Sequence, residues 1–296
     1  MGNPGYKMKK CDVSIVIPAY NEEKSIRKVV TDVLKAVKSL KFNVEIIVVD
    51  DGSSDGTSDA VSDLKVRIIK HPNNKGYGAS LKTGALNANG DYVLYIDGDD
   101  QHYAEDIKSF FIDYGKYDMI VGMRSKDASL IRRWGKLFIN ILANYLAERK
   151  IPDVNSGFRL IKKDLVLKYL QLLPNTFSFT TTITLALIKG AYNISYIPIR
   201  IKPRKSGKSA IKPIRDGFRF IMLILRMTIL FSPLRVFLPV SFLLFLVGIP
   251  LLLSRLILYQ RASETAVLFV LSGLLILFFG LIADQISILL RKGEGF

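Results

Sequence analysis

Short apolar runs alternate with amphipathic stretches along the first hundred residues. Runs rich in β-branched residues predict buried strands at 13–17, 45–49, 66–69 and 91–96. Apolar residues at helical spacing predict helices at about 23–40 and 79–88. This β-α-β-α-β alternation predicts an α/β domain with a mostly parallel sheet covered by helices.

The C-terminal part has a different pattern. Residues 236–254 and 265–283 are each nineteen residues without a charge. As a helix each reaches roughly 28 Å, close to the bilayer hydrocarbon thickness of about 30 Å. A buried hairpin of a soluble domain is the alternative, but two such runs in tandem are rare in soluble cores. We therefore predict a two-helix transmembrane hairpin over 236–296, with spans at about 236–256 and 265–287.

The positive charge lies just before this apolar tail. The formal net charge is +16, and residues 200–226 hold nine basic residues against one acid. Apolar residues at helical spacing interleave with these cations, which predicts an interfacial amphipathic helix at 211–235. An ordinary surface helix is the alternative. We place the globular domain at 1–210.

Cations flanking the spans predict the orientation. Arg226, Arg235, Arg291 and Lys292 flank the hairpin, against Arg255 and Arg261 in its loop. The positive-inside rule then places the globular domain and both termini in the cytoplasm, on a cell membrane crossed twice. Residues 1–10 are polar and are not expected to act as a signal peptide. The apolar spans leave surface through which copies of the chain can form a homo-oligomer.

Carboxylates follow the predicted strands. The segments 21–23, 50–51 and 97–101 are polar or acidic, and ligands of open α/β sheets bind at the carboxyl ends of strands. In Asp97-x-Asp99-x-Gln101, alternate oxygens face one side of an extended chain and suit Mg²⁺ or Mn²⁺ holding a diphosphate. A solvated acidic loop is the alternative.

The single cysteine, Cys11, excludes a disulfide scaffold and a Cys-based zinc site.

Several motifs together resemble a known family. They are VSIVIPAYNEE at 13–23, IIVVDDGSSDGT at 46–57, KGYG at 75–78, GDYVLYIDGDDQH at 90–102 and SGFR at 156–159. In order and spacing they resemble the family 2 glycosyltransferases, and more narrowly the polyprenyl-phosphate glycosyltransferases, such as dolichol-phosphate mannose synthase. The resemblance covers about residues 11–210. It implies a GT-A fold, a Rossmann-like sheet that binds a nucleotide-sugar and a divalent metal.

The resemblance also implies residue roles. Asp99 and Gln101 would hold the metal, and Asp51 would lie by the nucleotide base. The residues implied to bind the nucleotide-sugar are Pro18, Tyr20, Glu22, Asp51, Asp97, Asp99, Gln101, Arg204 and Lys208. Those implied to bind the acceptor phosphate are Arg124, Arg132, Arg133 and Ser156. The catalytic set would be Asp97, Asp99, Arg124, Arg133 and Arg204.

The chain departs from the family pattern at a few positions. Asp100 and Tyr103 stand where many members have leucine and proline, and the Arg132-Arg133 pair is slightly displaced. We expect the charge of Asp100 to lie beside the metal and to loosen or shift it.

The missing general base indicates the acceptor. Inverting transfer to a hydroxyl needs a base, which the family usually supplies as a late carboxylate, but the corresponding stretch 177–190 contains no acid. A phosphate acceptor is already anionic. We therefore expect metal-dependent, inverting transfer of a hexose from GDP-mannose or UDP-glucose to a polyprenyl or dolichyl phosphate at the cytoplasmic membrane face. Transfer to a hydroxyl acceptor in polysaccharide or glycolipid synthesis is the alternative. Nucleic acid is not an expected partner, because the basic cluster adjoins a membrane span.

Overall fold

The apolar runs of the N-terminal part form strands in the computed structural model, which describes residues 11–124, 152–153, 156–202, 222, 225–226 and 228–293. The globular part contains β1 (Val13–Ala19), α1 (Glu23–Val37), β2 (Val44–Asp50), β3 (Arg67–Lys70), α2 (Tyr77–Asn87), β4 (Tyr92–Tyr95), α3 (Ile107–Ile112), β5 (Met119–Arg124), β6 (Arg159–Lys162), α4 (Lys163–Lys168), α5 (Phe179–Lys189) and β7 (Ile194–Ile199). The C-terminal part contains α6 (Leu234–Tyr259) and α7 (Glu264–Gly293). The predicted strands and helices of the first hundred residues are confirmed within a few residues.

Seven strands of the described chain form one sheet in the order β3-β2-β1-β4-β6-β5-β7. Neighbouring strands are parallel except around β6, which is antiparallel to both β4 and β5. In the central register Val13 lies opposite Val44 of β2 and Tyr92 of β4. The mostly parallel sheet predicted from the sequence is therefore confirmed, and the carboxyl ends of β2, β1 and β4 meet at one edge.

The core lies between the sheet and helix α1. The buried face of α1 carries Ile26, Val29, Val30 and Val33, spaced as one stripe of a helix. Every residue of β1 is buried, as expected for a central parallel strand. This packing fixes the direction in which α1 leaves the edge where β1 ends.

Helix α2 lies close to β1 because of a glycine. A Cβ added at Gly84 would lie 2.2 Å from Val16 Cγ1 and 2.8 Å from its Cγ2. The helix begins at Tyr77, two residues earlier than predicted, because the backbone N–H groups of Gly78 and Ala79 donate to the carbonyl of Asn175, at 2.9 and 3.3 Å. These hydrogen bonds to a carbonyl distant in sequence thus extend the helix into the KGYG motif.

Helices α6 and α7 form a second compact unit. Their apolar side chains are mostly exposed, and both helices are long and apolar enough to cross a membrane. Ser241 Oγ donates to the carbonyl of Gly273 at 2.8 Å. A Cβ at Gly280 would lie 2.7 Å from Phe237 Cβ, so a small residue is needed there. The predicted apolar hairpin is confirmed. The amphipathic helix predicted at 211–235 lies mostly outside the described residues, and the domain boundaries stay a prediction.

The contact between Gly84 and Val16 yields a double-mutant prediction. Gly84→Ala should clash with Val16, whereas Val16→Ala should leave space that the new methyl group fills. We expect the free energy of unfolding of the double variant to exceed the additive value by about 1 kcal/mol. Unfolding curves of wild type and the three variants in one detergent measure this. Strict additivity would contradict the packing described.

Candidate functional site

The loops that follow β1, β2 and β4 lie at one edge of the sheet. Adjacent parallel strands bring their carboxyl ends together, and backbone bonds fix the loop starts. The N–H of Asp51 donates to the carbonyl of Ala19 at 2.8 Å, and the N–H of Ile96 to that of Val16 at 3.2 Å. The three predicted polar strand ends are thus neighbours.

Side chains of the loop after β2 hold the turn between β1 and α1. Asn21 has a positive φ of 54°, and its side-chain oxygen accepts from the N–H of Ser54 at 2.9 Å. The N–H of Glu22 donates to Thr57 Oγ1 at 2.9 Å. Of the predicted nucleotide-binding residues in this region, Pro18 is buried in β1, Glu22 is half-buried, and Tyr20 is exposed.

Asp51 organises the loop that precedes α2. It is 3% exposed. Its Oδ1 accepts from the N–H of Lys75 at 2.9 Å, and its Oδ2 from the N–H of Gly76 at 2.8 Å. His71 Nδ1 lies 2.7 Å from Oδ1, and His71 Nε2 lies 2.9 Å from Thr83 Oγ1. Both oxygens therefore have partners within the protein, and contact with a nucleotide base stays a prediction for Asp51.

Asp97 is held from two sides. Tyr77 OH donates to its Oδ1 at 2.7 Å, and His102 Nε2 lies 3.3 Å from its Oδ2. Burial alone would raise the pKa of Asp97, but the hydrogen bonds from His102 and Tyr77 outweigh it and lower the pKa. Burial, followed by the charge of Asp97, raises the pKa of Tyr77 well above its ordinary value. Asp97 is therefore an ionised carboxylate in a fixed orientation.

Gly157 makes room for this arrangement. A Cβ at this position would lie 2.5 Å from Asp97 Oδ2 and 2.8 Å from Tyr77 OH. The backbone of the SGFR motif thus packs directly against the carboxylate. Any side chain at residue 157 would displace Asp97 or Tyr77.

Asp99 and Gln101, the predicted metal ligands, lie two residues apart in the loop after β4. Asp99 Oδ1 accepts from the N–H of Gln101 at 3.1 Å, and both residues are half-buried. Among the residues that the structure describes, no group of three His, Cys, Asp or Glu side chains could hold a metal ion. Mg²⁺ and Mn²⁺ favour oxygen ligands, and Mg²⁺ is commonly bound by one or two carboxylates together with substrate phosphates. The donor set therefore fits a cation whose other ligands come from a diphosphate.

Arg124 is paired with a carboxylate that the sequence did not single out. Its Nε lies 2.8 Å from Asp153 Oδ2, and its Nη2 lies 3.0 Å from Oδ1. This bidentate pair raises the pKa of Arg124. Asp153 therefore holds the Nε–Nη2 edge of the Arg124 guanidinium at the end of β5.

Arg159, in contrast, is structural. Its buried guanidinium donates to the carbonyl of Thr180 at 2.9 Å, to Thr184 Oγ1 at 3.0 Å and, through Nε, to the carbonyl of Ser156 at 3.0 Å. Burial lowers its pKa to about 10. It fixes the backbone of Ser156, whose buried Oγ has no hydrogen-bond partner in the described part of the chain.

Some site residues were missed and others cannot be located. Tyr77 lies within the KGYG motif and Gly157 within SGFR, so the motifs indicated their importance although neither residue was singled out. Nothing in the sequence around Asp153 indicated that it pairs with Arg124. Arg132, Arg133, Arg204 and Lys208 lie outside the described residues.

Two family models match the chain. Residues 14–170 match the model of glycosyl transferase family 2, and residues 232–289 match the model of the GtrB C-terminal hairpin. Together they cover the sheet domain through α4 and nearly all of α6 and α7.

Curated relatives include two whose names state an activity. The chain is 30% identical over an alignment of 178 residues to a dolichyl-phosphate beta-glucosyltransferase of Dictyostelium discoideum, and the match covers 51% of this chain and 54% of that protein. It is 31% identical over an alignment of 215 residues to a dolichol-phosphate mannosyltransferase of Pyrococcus furiosus, and that match covers 68% of this chain and 59% of that protein. The chain thus spans only a little over half of each. An uncharacterized protein of Methanocaldococcus jannaschii is matched over 91% of its length at 26% identity, across 73% of this chain.

Solved structures share the fold. One is the glucosyl-3-phosphoglycerate synthase of Mycobacterium tuberculosis in complex with Mn²⁺, uridine diphosphate and glucosyl-3-phosphoglycerate. It aligns with a TM-score of 0.59 at 17% identity, over 74% of this chain and 80% of that one. With the mostly parallel sheet, this confirms the expected GT-A-like fold.

The bonds around Asp51 generate a prediction. In Asp51→Asn an amide nitrogen replaces one acceptor oxygen and must face a donor N–H. We expect faster amide exchange at Lys75 and Gly76, and a loss of about 1–3 kcal/mol in the free energy of unfolding. Hydrogen exchange of the nucleotide-free protein measures the first. Asp59→Asn, at an exposed position of the same connection, is the control. Unchanged exchange at 75–76 would contradict this role of Asp51.

Proposed function

The chain belongs to glycosyl transferase family 2, and from that premise we propose that it transfers a hexose from a nucleotide-sugar to a polyprenyl or dolichyl phosphate. The family resemblance noted in the sequence is confirmed, and the chain is a glycosyltransferase. The acceptor, the donor, the metal and the membrane face belong to the proposal.

The observation that carries the acceptor proposal is helix α5. It occupies the stretch in which the family usually supplies a carboxylate base, and it contains no acid. Its residues 179–188 are buried, and Arg159 binds it through Thr180 and Thr184. The side chains of this helix therefore pack inside the domain. An acceptor that is already anionic needs no base from this helix, and a phosphate ester meets that requirement at neutral pH.

The named relatives support the same acceptor class. One is named for transfer of glucose and the other for transfer of mannose, and both names contain dolichyl or dolichol phosphate. For the donor, UDP-glucose and GDP-mannose are the two candidates. A guanine and a uracil both offer a ring N–H, so the base alone does not choose between them.

The proposed reaction is an in-line displacement. A phosphate oxygen of the lipid attacks C1 of the sugar, the bond between C1 and the diphosphate oxygen breaks, and the nucleoside diphosphate leaves with inversion at C1. Arg124 would bind the acceptor phosphate, and Asp97 would position the sugar end of the donor. Asp99 and Gln101 would hold a divalent cation that, when bound, offsets the charge developing on the diphosphate.

Membrane association brings the lipid to this site. The apolar helices α6 and α7 and the GtrB hairpin match support attachment to a bilayer. Because more cations flank the hairpin than lie in its loop, we propose that both ends of the hairpin are cytoplasmic, together with the sheet domain. The nucleotide-sugar would then be bound on the cytoplasmic face.

A transfer assay in detergent tests the proposal. The full chain is incubated with Mn²⁺ or Mg²⁺, a labelled donor and either a short polyprenyl phosphate or the matching polyprenol. GDP-mannose, UDP-glucose and UDP-N-acetylglucosamine are tested separately. We expect label in the lipid phosphate with one donor only, and none in the polyprenol. Transfer to the polyprenol, or none with any donor from folded protein that binds nucleotide, would contradict it.

Removing the proposed metal carboxylate should abolish turnover without unfolding the protein. We expect Asp99→Ala to lose at least about a hundredfold in kcat/KM, because the charge on the leaving diphosphate is no longer offset. Asp63→Ala, which removes an exposed carboxylate paired with Arg27, is the matched control. Retained activity in Asp99→Ala would overturn the assignment of Asp99.

A further inference from the structure

Asp100 and Tyr103, two positions at which the chain departs from the family pattern, both contact Lys202. We infer that Asp100, Lys28 and Lys202, here called the Asp100 clamp, position the loop that carries Asp99 and Gln101. Asp100 Oδ1 lies 2.8 Å from Lys28 Nζ and 2.6 Å from Lys202 Nζ. The clamp acts on the metal-binding loop from outside, and its members are positioning residues.

The clamp joins three distant parts of the fold. Lys28 lies on α1, Asp100 follows β4, and Lys202 follows β7. Asp100 and Lys202 are 102 residues apart in sequence, and their side chains are only 13% and 17% exposed. Charge-assisted hydrogen bonds in such a partly desolvated position are stronger than those of exposed pairs. Lys28 is 50% exposed and also binds Asp32 at 2.9 Å, so Lys202 provides the stronger of the two restraints on the loop.

The backbone of the loop needs such a restraint. Asp100 has a φ of +59°, a conformation that costs energy for most residues and that Asp and Asn tolerate best. The N–H of Lys202 donates to the carbonyl of Gln101 at 2.8 Å, and His102 forms an isolated bridge with Ile201. Gln101 is thus bonded through its N–H to Asp99 and through its carbonyl to Lys202.

Tyr103, the second departure, supports the same lysine. Lys202 Nζ lies 4.8 Å from the centre of the Tyr103 ring, and Arg200 Cζ lies 4.6 Å from it. Both are within the range of cation–π attraction. Arg200 also binds Asp106 at 2.7 Å. Arg200 and Lys202, which follow β7, are thus held against residues 100–106 of the connection after β4, and Lys202 is the one of the two that binds Asp100.

The clamp also changes the expected effect of the Asp100 charge. The sequence predicted that this carboxylate would disturb the metal. The carboxylate of Asp100 lies between two ammonium groups, whose positive charges offset its own charge at the metal-binding loop. Positioning and direct charge effects then predict opposite results for the lysine variants.

The inference rests on the proposed function only where it assigns a metal to Asp99 and Gln101. The test therefore has one readout that needs no metal. The full chain in detergent is prepared as wild type, Asp100→Asn, Lys28→Met and Lys202→Met. Asn at residue 100 keeps the size and tolerates the positive φ, so the variant should fold. Arg27→Gln removes the neighbouring exposed pair with Asp63 and is the matched control.

The first readout is amide exchange of the peptide covering residues 97–102 in metal-free protein. We expect exchange about tenfold faster in Asp100→Asn and Lys202→Met, the effect of losing one charge-assisted hydrogen bond, a smaller increase in Lys28→Met, and no change in Arg27→Gln. The second is Mn²⁺ titration in the presence of UDP or GDP, followed by electron paramagnetic resonance. We expect the dissociation constant of Mn²⁺ to rise about tenfold or more in Asp100→Asn and Lys202→Met, and to rise by less in Lys28→Met.

Two outcomes would overturn the inference. Unchanged exchange at 97–102 would show that the clamp does not hold the loop. Tighter Mn²⁺ binding in the lysine variants, with weaker binding in Asp100→Asn, would show that Asp100 acts through its charge. If wild type binds no Mn²⁺ with either nucleotide, the metal part of the proposed function fails, and exchange alone decides whether the clamp positions the loop.

Discussion

Carboxylates at the ends of buried parallel strands must find hydrogen-bond donors, and the loops of this site are built to supply them. Asp50, fully buried, accepts from the N–H of Ser53 and from Ser58. Asp51 accepts hydrogen bonds from the backbone N–H groups of Lys75 and Gly76, and its Oδ1 lies within hydrogen-bond distance of His71 Nδ1. Asp97 accepts a hydrogen bond from Tyr77 OH, and its other oxygen lies within hydrogen-bond distance of His102 Nε2. An unsatisfied buried carboxylate would be very costly, which applies to Asp50 and Asp51 most strongly, since the side chain of Asp97 is 29% exposed.

This constraint orders the loops that meet at one edge of the sheet. The hydrogen bonds of Asp51 order the loop before α2. The hydrogen bond between Tyr77 and Asp97 joins the start of α2 to the loop after β4. Asp99 and Gln101 lie in that second loop as half-buried oxygen donors. In the proposed reaction, ordered loops would keep these oxygens in place before the donor binds, which would reduce the reorganisation needed during transfer. The bidentate pair of Arg124 and Asp153 orients a guanidinium in the same way.

Local patterns predict the local parts of this structure. The strands, the polar strand ends and the apolar hairpin follow from periodicity and composition, and the motifs imply the Asp97–Gln101 set. The pairs of Arg124 with Asp153 and of Asp100 with Lys202 do not follow. They depend on β6 entering the sheet antiparallel between β4 and β5, and on β7 pairing with β5, and no local signal carries that order. The extended start of α2 likewise depends on a carbonyl about a hundred residues away.

In the proposed reaction the acceptor brings its own negative charge and needs no protein base. The most direct measurement is the pH dependence of kcat/KM with a polyprenyl phosphate and with a phosphonate analogue of different second pKa. If the claim is right, the acid limb lies near the phosphate value of about 6 and moves with the pKa of the acceptor. An acid limb that stays at the same pH for both acceptors would show that a group of the protein accepts the proton, which would contradict the claim.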